Sequence, residues 1–396
     1  MAMQDAVRQA PPRTSLFNDP AIRGIIYQVV VIALVVGGGA WLVLNAIQNL
    51  AAQGKNMGFE FLTRTSGFDI GFSVIDFDRT STYWEVFVVG LLNTLLASFI
   101  SIILATILGF FLGIARLSKN WIVAKMAMVY VEVTRNIPLL LWLFVIYFAV
   151  LKTLPPVKTS MVVWNDFYLN QRGIFVPKLV FDERFVWVLG SVLVAIVAAF
   201  GVRQWAKQRL FATGKRFPTL IVAILILIAI PAITFLASGS VINVDPPVLS
   251  GFNFKGGIDI PPELAAMIVG LTLYTATFIG EIVRSGIQAV SHGQTEAAQS
   301  LGLRDGDRLR LVVLPQAMRV VIPPLTSEYL SLTKNSSLGA AIGYPELVNV
   351  FAGTALNQTG KAFEIIGMTM LVYLIFSLVT SAFMNWFNAR VALVER

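Results

Sequence analysis

Eight apolar stretches punctuate this chain, and most are as long as a lipid bilayer is thick. They run near Ile25–Ile47, Val86–Ile114, Val123–Leu151, Phe185–Val202, Pro218–Ala237, Leu264–Val283, Val320–Leu332 and Ile365–Phe387. A hydrocarbon core about 30 Å thick takes roughly 20 apolar residues per helix. Inside lipid the backbone must satisfy its own hydrogen bonds, so each stretch reads as a helix. Of 396 residues, 56% are hydrophobic and 13% charged, and the mean hydropathy is +0.75, outside the usual range of soluble domains. The expected fold class is an all-α polytopic membrane protein with about eight transmembrane helices.

The net charge of +8 is explained by sidedness, without nucleic acid. With the N-terminus inside, the inner segments hold Arg8, Arg13, Arg23, Arg116, Lys119, Lys125, Arg203, Lys207, Arg209, Lys215, Arg216, Arg284, Arg304, Arg308, Arg310, Arg319, Arg390 and Arg396. The outer segments are acid-rich, with Glu60, Asp69, Asp76, Asp78, Asp166, Asp182, Glu183, Asp245 and Asp259. This is the positive-inside bias, and an even number of spans puts both termini in the cytoplasm. There is no cysteine, so neither a disulfide framework nor a thiolate site can form. The lone His292 has no companion ligand for a metal. The first apolar segment is longer than a signal-peptide core and reads as a retained helix.

Several polar residues interrupt the apolar runs. The second helix carries Asn93, Thr94, Ser98, Ser101 and Thr106 and ends in Gly109 and Gly113, a G-x-x-x-G spacing that lets helices approach closely. Gly37–Gly39 in the first helix suggest the same. The third helix reads as irregular, with Pro138 inside it and Glu132 and Arg135 at i, i+3, on one helical face. An ionised side chain at bilayer depth costs on the order of 2.5–3.5 kcal/mol. The two therefore either satisfy each other near the interface or line a translocation path. Glu281 and Arg284 repeat the spacing. In the seventh helix Pro323-Pro324 is expected to break the helix near Glu328, Lys334 and Asn335, either at a lumen or as a plain kink. The fourth and fifth helices read as scaffold. The outer segments Ala51–Tyr83 and Thr153–Arg184, rich in aromatics, are expected at the membrane surface.

The loop after the sixth helix contains Glu296-Ala297-Ala298, then Gly302, then Leu314-Pro315. This spacing resembles the EAA loop of ABC-importer permeases. Three further stretches resemble the polar amino-acid family of those permeases: G-L-L-N-T-L-L-A-S from Gly90; Y-V-E-V-T-R-N-I-P-L-L-L from Tyr130, with Asn136 where glycine is usual; and the run from Leu314 through K-N-S-S-L. Within that family the layout is most similar to the larger permease of the general L-amino acid (Aap) or glutamate/glutamine/aspartate/asparagine (Bzt) systems. The resemblance implies a five-helix type I ABC importer (MetI-like) core at 85–390, with an insertion at 153–262 carrying two extra helices and a coupling loop at 284–319. Residues 1–84 would add a cytoplasmic N-terminus, an extra helix and a periplasmic segment, and 391–396 a cytoplasmic tail.

The same resemblance implies a permease subunit in the bacterial inner membrane, importing polar L-amino acids by ATP-driven alternating access. Its partners would be a cytoplasmic ABC ATPase dimer, a periplasmic amino-acid-binding protein and a sister permease. The chain would bind no cofactor, ATP and Mg being used by the ATPase: Gly360-Lys361 lacks the first glycine and the Ser or Thr of a phosphate loop. An ion-coupled secondary transporter is the alternative, though it would call for inverted repeats that the sequence does not display. Physically, Thr295 or a neighbour is expected to cap a short coupling helix, with Glu296 at its positive end. Ala297 and Ala298 favour helix, Gly302 ends it, Arg304–Asp307 make a polar turn, and Pro315 sits in the first turn of the next helix.

Overall fold

The structure is a computed structural model and describes residues 20–52, 57–215 and 217–391. Arg8, Arg13, Arg216 and Arg396 lie outside the described residues, as does the chain beyond 391. Helix α1 spans Pro20–Ala52, α2 Tyr83–Arg116 and α3 Trp121–Asn136. Helix α4, Leu139–Phe144, continues as a π-helix over Val145–Leu151. Strands β1 (Met161–Trp164), β2 (Phe167–Asn170), β3 (Gly173–Val176) and β4 (Lys178–Phe181) precede α5 (Phe185–Thr213) and α6 (Thr219–Ser238). Strands β5 (Ile242–Asp245), β6 (Val248–Ser250), β7 (Asn253–Lys255) and β8 (Ile258–Ile260) lead into α7, Pro262–Gln288. Next come α8 (His292–Ser300), α9 (Asp305–Arg308), a π-helix at Leu309–Val313 and α10 (Leu314–Asn335). A 3-10 stretch, Ser336–Ile342, and a π-helix, Val348–Ala355, precede α11 (Leu356–Thr359) and α12 (Ala362–Val391).

Among the described residues, 7 helices are long and apolar enough to cross a membrane, or 8 if the bent α3–α4 pair is one span. The fold is thus a polytopic helical membrane protein. The third expected span is not one straight helix, because α3 and the α4 segment meet at 104°. Pro138 lacks an N–H and disfavours helix at the residue before it, and Ile137 is extended at φ −107°, ψ 130°. The segments between α4 and α5 and between α6 and α7 hold short strands. β1, β2, β3 and β8 form one antiparallel sheet, and β4 pairs with β5. The second pair clamps the open ends of the α5–α6 hairpin, and β3–β8 joins the strands before it to the entry of α7.

The core is centred on α2 against α7. A Cβ on Gly109 would meet Ile279 at 2.6 Å, and one on Gly113 would meet the Gly280 carbonyl oxygen and Val283 at 2.7 Å. The G-x-x-x-G spacing therefore makes the close contact expected of it. Further out along α2, Gly90 lies so near the chain at Leu347 that a Cβ would come within 2.8 Å of that residue's Cα. There Asn93 Nδ2 donates to the carbonyls of Phe72 (2.9 Å) and Pro345 (2.8 Å), Tyr344 Oη donates to the Asn93 carbonyl (2.8 Å), and the Leu347 amide donates to Thr94 Oγ1 (3.1 Å). Glu346, fully buried, accepts from the amides of Val348 (2.8 Å) and Asn349 (2.7 Å), capping the helix that follows. Unpaired, these polar groups would each carry a desolvation cost.

Two sequence expectations fail here. Pro323 and Pro324 lie inside a continuous α10. Val321, Ile322 and Leu325 are buried in the core on either side of the prolines, and α10 packs against α7, which holds both halves in line despite two missing donors. Gly37–Gly39 meet nothing within 4 Å; α1 stands free of the core, with no part of its apolar window buried. Helices α5 and α6 pack against each other, and α6 buries no residue. Gly109→Val should therefore overpack the core and cost about 1–3 kcal/mol, whereas Gly38→Val should be neutral. Thermal unfolding in detergent checks this, and equal midpoints for the two variants would contradict the α2–α7 contact.

Candidate functional site

Between α7 and α10 the chain folds into a compact helical loop. Helix α8 begins at His292, after Ser291, whose side chain makes no capping hydrogen bond. Thr295 is therefore not the cap, and Glu296 lies in the second turn, not at the positive end, where its Oε1 is 3.0 Å from His292 Nδ1. The C-terminus behaves as expected: Gly302 is left-handed at φ +72°. The Gly302 amide donates to the Gln299 carbonyl at 2.8 Å and the Leu303 amide to that of Ala298 at 3.2 Å. This is the paired Schellman closure that satisfies orphan helix carbonyls.

Ala298 is 3% exposed, while Glu296 and Ala297 face outward. Helix α8 rests on the π-helix Leu309–Val313, and Gln316 Nε2 donates to Gln294 Oε1 at 3.1 Å, tying it to α10. A groove of about 560 Å³ runs beneath it, lined by Leu117, Ile287, Val290, Thr295, Leu309 and Val313 among others. The expected polar turn at Arg304–Asp307 is instead mostly helix, α9, with Arg308 Nη2 3.2 Å from Asp305 Oδ1. From Asp305 the chain is helical through Ile342. Leu314 is half-buried and Pro315 exposed. Pro315 lies in the first turn of α10 but does not open a separate helix. It cannot donate to the turn behind it, and the backbone there is the wide π form.

A second constellation lies where α2, α3 and α7 converge. Arg116, Glu132, Arg135, Asn136, Phe278 and Glu281 line a cleft of about 330 Å³. Glu281 contacts Arg116 directly and Arg284 Nη2 at 2.5 Å, so the expected Glu281–Arg284 pair forms with a third member. Glu132 and Arg135 do not pair with each other. Both are exposed to the cleft, and the Arg135 guanidinium stacks 4.8 Å from the centre of the Phe278 ring. Glu328, half-buried on α10, lies within electrostatic reach of Arg135. Lys334, exposed, and Asn335, half-buried, are about 9–10 Å further along α10 and do not line the cleft.

Sequence reasoning missed Arg116 and Phe278 as members of this cleft and Glu346 as a buried cap. Arg116 had been visible only as a topological cation, because its partner Glu281 is far away in the chain. A glutamate three residues after Gly343 and directly before an apolar run matches the enrichment of acidic residues at helix starts.

Comparison with known sequences places the chain among the membrane subunits of transport systems. The sequence profile described as "Binding-protein-dependent transport system inner membrane component" matches residues 188–393. The YhdX protein of Escherichia coli strain K12 is 47% identical over 96% of this chain and 97% of its own length. The general L-amino acid transport system permease protein AapQ of Rhizobium johnstonii is 48% identical over 96% and 95%. The glutamate/glutamine/aspartate/asparagine transport system permease protein BztB of Rhodobacter capsulatus is 40% identical over 99% and 100%. The chain belongs to the family of binding-protein-dependent transport system inner membrane components.

Gly302→Ala would place a Cβ on a left-handed residue, at a cost of about 1–2 kcal/mol. Amide exchange across His292–Ser300 should then quicken by roughly five- to thirty-fold. Gly306→Ala, where a Cβ meets nothing within 4 Å and φ is ordinary, should leave exchange unchanged.

Proposed function

We propose that this chain is the permease subunit of an ATP-driven importer of polar L-amino acids. The observation that carries the reading is α8: a short, firmly closed helix that buries Ala298, offers Glu296 and Ala297 outward, and leads through α9 into α10. A cytoplasmic ABC ATPase dimer docks on that exposed face and binds the ATP and Mg. Its opening and closing moves α8, and the unbroken helix from Asp305 delivers the movement to α10 beside the charged cleft. A periplasmic amino-acid-binding protein delivers substrate on the strand-bearing face, and a sister permease completes the pathway as a heterodimer. The names of AapQ and BztB support amino-acid cargo. The sidedness of the basic residues supports cytoplasmic termini.

In this reading Glu132, Arg135 and Glu328 meet the zwitterionic substrate, Arg135 taking its carboxylate. Lys334 and Asn335 lie further along the path. Coupling runs through Glu296, Ala297, Ala298, Gly302, Leu314 and Pro315. The extra helices, the 85–390 core with its 153–262 insertion, and the 284–319 loop keep the boundaries set out from the sequence.

Proteoliposomes test the assignment. Uptake of labelled glutamate or glutamine should require the ATPase, ATP on its side and the binding protein opposite; uptake driven by an ion gradient alone would refute it. A cysteine at Ala297, in a chain that has no other, should crosslink to the ATPase, and one at the buried Ala298 should react far less. Arg135→Ala should lower uptake by at least tenfold, about 1.4 kcal/mol, with the complex still assembled; normal uptake would remove Arg135 from the path.

A further inference from the structure

Helix α5 is longer than its membrane work requires. Its apolar part, Phe185–Val202, is 18 residues, roughly 27 Å of helix and close to the hydrocarbon thickness. Beyond it α5 continues to Thr213, where Gly214 ends it at φ 68° and donates to the Leu210 carbonyl at 2.9 Å. That extension carries Arg203, Lys207 and Arg209, and Lys215 follows the cap. All four are exposed, and none has an ion-pair or hydrogen-bonding side-chain partner among the described residues. The sequence holds no acidic residue between Glu183 and Asp245, so nothing local neutralises them.

The aromatic residues there are placed just as specifically. Trp205 and Phe217 meet edge to face at 5.1 Å and 87°. The Arg209 guanidinium lies 5.3 Å from the Trp205 ring centre and 5.8 Å from that of Phe217. Stacking fixes the plane of the guanidinium while leaving its N–H groups free for an acceptor that none of the described residues supplies. Phe211, 79% exposed, sits in the same turns. Interfacial membrane segments combine these features: amphipathic rings at headgroup level and cations reaching phosphate.

The arrangement around the helix decides what partner fits. At 100° per residue, Arg203 and Lys207 share one side, while Arg209 lies about 120–160° away. A single protein surface could not meet both sides, whereas a headgroup layer surrounds the helix. From Arg203 to Arg209 the rise is about 9 Å, comparable with the depth of one headgroup region.

We propose that Arg203, Lys207, Arg209 and Lys215, with Trp205 and Phe217, form a collar that binds the phosphate of anionic phospholipids at the end of α5. The occupant is a lipid headgroup, held by charge and by the preset Arg209 plane. This goes beyond the transport reading and does not depend on it, since the collar lies on the α5–α6 hairpin, away from α8 and from the charged cleft.

The test uses the purified full-length protein in its complex, equilibrated in detergent with phosphatidylglycerol and phosphatidylcholine, followed by mass spectrometry of the lipid retained after gel filtration. The wild type should hold phosphatidylglycerol above its bulk share. Arg203→Gln, Lys207→Gln and Arg209→Gln should each cut that enrichment by about five-fold at most, since a cation near an anionic surface contributes about 1 kcal/mol, and the triple variant should abolish it. Gln preserves helix propensity, and the single variants report even if the triple variant fails to assemble. Lys255→Gln, on β7, should change nothing. Enrichment unchanged in the single variants would overturn the proposal. So would loss of the preference on adding inorganic phosphate, which would mark a free-anion site, or loss of the bound ATPase with lipid enrichment intact, which would mark a protein-docking site.

Discussion

The close approach of α2 and α7 is the contact on which the rest of this protein depends. In lipid, apolar burial gives little reason for one helix to prefer another over a fatty-acid chain, so association rests on close packing and polar contacts. Gly109 and Gly113 supply the first by letting backbones meet where a Cβ would collide, and on Gly280 opposite them a Cβ would already be crowded, 3.1 Å from Leu112 Cβ. Arg116 and Glu281 supply the second at the end of the same interface. Because α7 leads directly into α8, whatever fixes α7 also fixes one end of the loop that carries α8 and α9. Because α10 packs on α7 in turn, the other end is fixed by the same core.

That geometry makes the loop stiff, as the proposed coupling role requires. A flexible loop would absorb displacement by changing its own dihedrals, whereas α8 is closed by a Schellman pair, seated through Ala298 and followed by helix to Ile342. The softest places along the route are the π-helix at Leu309–Val313, just before Pro315, and the Pro323-Pro324 pair. Each lacks part of the regular hydrogen-bond ladder, so each bends at lower cost than ordinary helix. The first lies under α8; at the second, Val321, Ile322 and Leu325 packed in the core hold α10 straight across the missing donors.

What could be read from the sequence divides along physical lines. Span length, the glycine contact of α2 and the stop at Gly302 depend on local composition and on backbone conformation, which the chain itself declares. The Arg116–Glu281 contact, the separation of Glu132 from Arg135 and the unbroken α10 depend on partners far away in sequence. At Pro323-Pro324 the local rule predicted a break and tertiary packing overrode it. At Ile137-Pro138 the sequence reading ran one irregular span across the proline, and there the chain does turn, by 104°. The two sites differ in support: α10 has core residues immediately around its prolines and packs on α7, while Ile137 is only half-buried and Pro138 exposed. The short strands were illegible for a similar reason, since four-residue ladders such as β4–β5 owe their existence to helix ends brought together by the hairpin they close.

The buried knot at Glu346 shows the same economy beyond the far end of α10 from α8. A carboxylate taken out of solvent is costly unless its oxygens are satisfied, and here two backbone amides and the Tyr373 hydroxyl donate to it. Its neighbours Tyr344 and Pro345 are bonded to Asn93, one turn from Gly90, where the backbones are again too close for a Cβ. Helix α2 therefore grips the chain at both ends, α7 through Gly109 and Gly113 and the segment after α10 through Gly90 and Asn93. A movement entering α10 from α8 meets a firm anchor at its far end, so the helix has to bend or pivot between the two. The charged cleft and Glu328 lie in that interval.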